Sequence, residues 1–191
     1  MPTARESLLE AAGAALSARP WPSVRMVDVA AAAGVSRQTL YNEFGGKAGL
    51  GRALVRREAD WYLDGVDRVL RAPAAGSGDR LASLAEWTVR AAAARPLVRA
   101  LLTGHWDGNL PAPPGRGARP GVPAPGPGEL AGAVRDRAAE VLAAPDAAHR
   151  CELAVRLALS YVVAPARESG LGELLGLLRL LSGPTRTAGV R

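Results

Sequence analysis

Arg37, Gln38 and Asn42 end in planar forks of hydrogen-bonding groups, and they fall within one six-residue stretch of a 191-residue chain. At about 100° per residue, Gln38 and Asn42 share a helix face almost opposite Leu40 and Phe44, with Thr39 on one flank and Tyr41 on the other. Arginine forks match the acceptor edge of guanine, and glutamine or asparagine forks match the donor–acceptor edge of adenine, in the major groove of a duplex. The hydroxyls of Thr39 and Tyr41 and the ammonium of Lys47, the only lysine in the chain, suit phosphates on either side. A solvated helix face would use the same residue types, so the elements around these side chains must decide between the two readings.

Those elements are legible. Val27–Lys47 reads as two short helices joined by a tight turn, with a third helix starting at its end. Ala30 is small enough for a crossing helix to pass close above it. Gly34 sits where the chain reverses and positive φ is needed. Ser36 can cap the second helix through its hydroxyl, so it belongs to the candidate interface as its opening residue. Val29, Ala33, Val35, Leu40 and Phe44 supply the small core. Turn, cap, crossing alanine and anchors agree on a helix-turn-helix.

Val29-Ala30, Ala33-Gly34-Val35-Ser36, Thr39-Leu40-Tyr41 and Phe44-Gly45-Gly46-Lys47 resemble the DNA-binding signature of TetR-type (TetR/AcrR) transcriptional regulators. The resemblance covers about the first quarter of the chain, with many positions matched at fixed spacing. It implies an all-α homodimer with a C-terminal effector-binding domain, acting as a repressor on double-stranded operator DNA. It also implies phosphate contacts from Thr39, Tyr41 and Lys47, and base contacts from Arg37, Gln38 and Asn42. Where the family commonly opens the first helix of the motif with threonine, this chain has Arg25. That change removes a capping hydroxyl, leaves Asp28 to favour the positive helix end, and offers a guanidinium to a phosphate.

Composition supports a helical reading. Hydrophobic residues make up 48% of the chain, chiefly Ala, Leu and Val, which is enough for a packed core. No β-branched run alternates with polar residues as a strand requires. The net charge of +6 suits an anionic partner, but residues 1–60 carry eight Lys or Arg against six Asp or Glu, so the first part is only mildly basic. Cys151, the single cysteine, is expected as a small core residue rather than a redox sensor. The N-terminus lacks a secretory pattern and no apolar stretch reaches spanning length, so a cytoplasmic, soluble protein without membrane contact is expected.

Along the chain, Thr3 and Glu6 form a capping box for a helix to about residue 18, and Arg19-Pro20-Trp21-Pro22-Ser23 stops it, with Trp21 packing beneath the DNA-binding unit. A long helix is expected from Lys47 to about Arg71, coupling the reading head to a sensing part. Further helices follow over about 80–94 with Asp79 as cap, Pro96–Leu102, Glu129–Ala143, from Asp146 as cap to about Pro165, and Glu168–Ser182. Residues 111–128 hold seven Pro and five Gly and read as a mobile loop. The domain division expected is 1–46 for DNA binding and 47–191 for effector binding and dimerisation. The last two helices are apolar around too much of their circumference to be surface helices; they are either central in the fold or meet the same pair of a second copy, and residues 146–182 are expected to form that dimer seam.

Trp61, Tyr62, Trp87, His105 and Trp106 are the larger amphipathic side chains of the central helices and the candidates for lining an effector pocket. With so much Ala and Leu around them an apolar or aromatic molecule is favoured, although core packing explains each of them too. His105-Trp106-Asp107 offers too few ligands for a metal, and no cofactor is called for. An enzyme would need converging acid, base or nucleophile groups, and two histidines with scattered carboxylates supply none. A helical interaction module, or a DNA-binding module without sequence choice or effector, is the remaining alternative.

Overall fold

A computed structural model describes residues 2–111, 125–142, 145–164 and 170–180, and among them every regular element is helical. In chain order these are α1 (Ala4–Ala18), a 3-10 turn (Trp21–Ser23), α2 (Met26–Ala32), α3 (Arg37–Phe44), α4 (Lys47–Arg71), α5 (Ser77–Ala94), α6 (Pro96–Thr103), α7 (Pro127–Leu142), α8 (Pro145–Val163) and α9 (Gly170–Leu180). Most of the expected loop at 111–128, the C-terminal end of the last helix and the tail lie outside the described residues. None of the described helices is long and apolar enough to cross a membrane.

α7 starts at Pro127, two residues before the expected Glu129, and two expected helix caps also differ. α5 begins at Ser77 on the extended residue Gly76, and Asp79 sits inside its first turn rather than capping it. α8 begins at Pro145, which likewise leaves Asp146 in the first turn. In both cases the acid stays where the positive helix end favours it, while the preceding glycine or proline accepts the first-turn geometry.

The chain packs into two compact units, residues 1–61 with 96–126, and residues 62–95 with 127–191. Packing thus groups α6 with the N-terminal helices, a division that chain order does not reveal. In the first unit Thr3 and Glu6 form the expected reciprocal box, with the Thr3 amide donating to Glu6 Oε2 at 2.7 Å and the Glu6 amide to Thr3 Oγ1 at 3.2 Å. The Thr3 amide, and after it the Thr3 hydroxyl donating at 3.0 Å, hold the Glu6 carboxyl below its ordinary pKa. Leu8, Leu9 and Ala12 are the buried side of α1. Trp21 is buried, its amide donates to the Asn109 carbonyl at 2.8 Å, and its ring lies against Gly51 of α4.

The second unit is built on α5 packed against α8 and α9, with α7 against α8. Gly65 lets the Trp87 indole lie directly on the α4 backbone, since a Cβ there would fall within the ring. The indole N–H donates to the Tyr62 carbonyl at 3.2 Å, and Arg68 stacks over its face. Tyr62 is fully buried and its hydroxyl pairs at 3.1 Å with Thr88, which itself donates to the Leu84 carbonyl. The buried Glu152 carboxylate accepts from Arg156 at 2.7 Å and lies 3.7 Å from Arg135.

Burial pushes the Tyr62 hydroxyl up to about 12, against a smaller opposing effect of the Thr88 bond. A group that holds its proton more tightly when folded stabilises fully below its unfolded pKa and loses that contribution as pH rises through the folded one. Stability is therefore expected to fall between roughly pH 10 and 12, by up to about 1.4 kcal/mol per pH unit from this residue. Tyr62→Phe is expected to remove that share of the slope and to cost about 0.5–1.5 kcal/mol at neutral pH through the lost hydrogen bond. Urea unfolding at neutral and alkaline pH measures both effects. The slope that persists in the variant belongs partly to Cys151, whose thiol burial raises to about 11.

Candidate nucleic-acid interface

Three local devices present α3. The turn after α2 reverses at Gly34, whose φ of 68° is a left-handed conformation that disfavours a side chain. Ser36 then caps α3, accepting from the Thr39 amide at 3.0 Å and pairing with the Thr39 hydroxyl at 2.8 Å. At the far end Gly45 takes φ 67° and closes the helix with its amide on the Tyr41 carbonyl. α3 packs on α1 and α2. Leu40 and Phe44 are buried, whereas Arg37, Gln38, Tyr41 and Asn42 are exposed and Thr39 is half-buried.

The wheel drawn from the sequence is therefore the wheel in the fold. Gln38 and Asn42 are held together, the Gln38 amide donating to Asn42 Oδ1 at 2.8 Å. That bond fixes both amide planes on the outward face while leaving the Gln38 oxygen and the Asn42 NH2 free of each other. Arg25, Arg37, Tyr41 and Lys47 converge on one groove of about 410 Å³ beside α3. Three cationic side chains and a phenol around one concavity are suited to phosphate oxygens.

Two of these residues also do local structural work. Arg25 precedes α2 without capping it, and its guanidinium instead grips Asp28 at 3.1 and 3.2 Å. Arg19 approaches the same carboxylate at 3.4 Å. A phosphate at Arg25 would therefore compete with, or share, the Asp28 pairing. Lys47 donates to the Pro22 carbonyl at 2.9 Å and sits 5.5 Å from the Trp21 ring centroid, which ties the start of α4 to the 3-10 turn. Two of its three donors stay available.

Arg5 is the residue that linear reading misses. From α1 it stacks 4.6 Å over the Phe44 ring and donates to the Glu43 carbonyl at 3.2 Å, meeting the C-terminal turn of α3 with a positive charge. Thirty-eight positions separate it from Glu43, and no periodicity signals such a pair.

The five pocket candidates are divided between the two units. Tyr62 and Trp87 meet in the second unit, while Trp61, His105 and Trp106 belong to the first. The His105 side chain is exposed, and the Asp107 carboxylate accepts from the Asn109 amide at 2.7 Å, closing a turn. A cavity of about 340 Å³ in the second unit is lined by none of the five; Arg80, Leu81, Arg150 and Cys151 are among the residues that form it.

A capped, glycine-reversed helix pair that offers an amide- and cation-rich face defines a helix-turn-helix head. Residues 8–54 match the model for bacterial regulatory proteins of the tetR family, so this segment carries a DNA-binding domain similar to theirs. It is 40% identical over 100 residues to the HTH-type transcriptional regulator AlkX of Mycobacterium tuberculosis, an alignment covering 52% of this chain and 47% of the relative. The match thus spans about half the length of that protein. The fold as a whole is similar to the crystal structure of the TetR family repressor AlkX from Dietzia sp., implicated in biodegradation of n-alkanes, with a TM-score of 0.55 and 21% identity over 93% of this chain and 92% of that one. It is also similar to a tetR-family transcriptional regulator from Streptomyces coelicolor, with a TM-score of 0.56 and 22% identity over 94% of this chain and 79% of that one.

Proposed function

We propose that the protein is a dimeric transcriptional regulator, a repressor that leaves its operator when a small molecule binds. The observation that carries this reading is the face of α3, where Arg37, Gln38, Tyr41 and Asn42 stand exposed above the buried Leu40 and Phe44. Two copies of α3 would enter successive major grooves, about 34–36 Å apart. The family match and the repressor among the similar folds support a regulatory rather than an enzymatic role. A cytoplasmic location accords with that role.

Pairing of two subunits is supported by α8 and α9. Leu153 and Leu157, four apart on α8, are 44% and 42% exposed, and Leu177 and Leu180 on α9 are 59% and 78% exposed. Large aliphatic side chains left open on two packed helices favour burial against a copy of themselves. Effector release is supported by the cavity in the second unit and follows population-shift arithmetic. Moving the protein from 1:99 to 99:1 takes about 5.5 kcal/mol of differential affinity.

Footprinting on the DNA flanking its own gene is the direct test. Protection of one site that random competitor DNA does not abolish is expected; uniform, competitor-sensitive binding would instead favour a DNA-binding module without sequence choice. Phosphate contacts carry their own signature. Lys47→Met is expected to weaken binding to all duplexes alike and to flatten the dependence of log K on log salt by about one unit. Titrations at several salt concentrations, on operator and on random DNA, measure both.

A further inference from the structure

The cavity lined by α5, α7 and α8 has a chemistry that the aromatic candidates did not suggest. Leu81, Leu142 and Ala147 give it apolar wall, and the buried Cys151 forms part of its surface. Arg80 and Arg150 bring two guanidinium groups to it, against the single exposed carboxylate of Asp146. Arg80 spends one N–H on the Ala72 carbonyl at 3.3 Å, while its Nε is buried with no hydrogen-bond partner. A buried donor on a charged group is costly to leave unmade, and an anion on the other N–H groups of Arg80 would offset that cost. The cavity also includes Ser77 and Ala147, from the first turns of α5 and α8, where helix ends favour negative charge.

From this geometry we infer that the cavity is a binding site for a small organic monoanion, a carboxylate carried on a compact apolar body, with Arg80 as its principal anchor. The carboxylate would take N–H groups of the Arg80 guanidinium other than the buried Nε and neighbour Arg150, and the apolar body would lie along Leu81, Leu142 and Ala147. A phosphate without an apolar body would leave those walls unfilled. The Cys151 thiol stays protonated at neutral pH because burial raises its pKa to about 11, and so adds no competing negative charge. Two positive charges against one exposed acid favour an anion over a neutral isostere, and disfavour an amine. This inference rests on the effector reading above and specifies the ligand class for it.

Calorimetric titration of the full chain with matched probes tests it. One set is octanoate, 1-octanol and octylamine; the other is phenylacetate, 2-phenylethanol and phenethylamine. At least one carboxylate is expected to bind about ten- to hundredfold more tightly than its alcohol, the ratio that a charged hydrogen bond supplies, with the amine weakest. Arg80→Met is expected to erase that ratio while leaving alcohol binding in place, and Arg150→Gln to reduce it. The second variant serves if loss of the Ala72 bond unsettles the first, and circular dichroism verifies both folds. Equal binding of carboxylates and alcohols, an unchanged ratio in a folded Arg80→Met, or no carboxylate binding at millimolar concentration would overturn the site. Operator occupancy is measured separately by footprinting with the bound carboxylate present. Arg80-dependent binding that leaves the footprint intact would uphold the site and refute its role as the effector switch.

Discussion

Leu40→Ala is expected to lower the stability of the first unit by about 2–5 kcal/mol and to abolish specific DNA binding at temperatures where the wild type is folded. Leu40 is wholly buried, whereas its neighbours Thr39 and Tyr41 reach the surface. Cutting it back removes buried apolar surface and leaves a hole in a core too small to close around it. α3 has only eight residues, far short of the length at which a helix holds itself in water, so its order depends on this packing. Urea unfolding monitored by circular dichroism measures the loss, and footprinting at low temperature separates it from damage to the reading face. A variant with wild-type stability would mean that α3 is not anchored through Leu40.

Gln38→Ala combined with Asn42→Ala is expected to act in the opposite way, sparing stability and removing sequence choice. Both side chains are exposed, and their mutual bond at 2.8 Å lies at the surface. Their loss is therefore expected to change folding by no more than about 0.5 kcal/mol. Each well-made fork on a base edge supplies about 1–3 kcal/mol of discrimination, so the double variant should bind the operator about ten- to a thousandfold more weakly, with random DNA little affected. The two single variants should not add, because each amide orients the other. Competition binding on operator and scrambled duplexes gives the ratio. An unchanged ratio in the folded double variant would remove α3 from the recognition role.

The two variants also separate what can be read without coordinates from what cannot. Ser36, Gly34, Leu40 and Phe44 announce their roles through rules that act within one or two turns: a hydroxyl before a helix, a residue tolerant of positive φ, apolar side chains four apart. The capping box of Thr3 and Glu6 and the start of α4 at Lys47 are legible for the same reason. The starts of α5 and α8 are not legible to the residue, because an acid near a helix end satisfies the dipole in the first turn as well as at the cap.

By itself the sequence determined the helix-turn-helix, its reading face and the helical character of the rest, since these follow from local backbone and periodicity rules. Only the tertiary structure decided that Arg5 braces the end of α3, that Arg25 is paired with Asp28, and that α6 packs with the N-terminal helices. It also decided that Tyr62 closes a buried hydrogen bond while Arg80 lines a cavity. Those facts depend on which distant side chains meet. An arginine or a tyrosine reads the same in a linear chain whether its partner is water, a carboxylate or nothing.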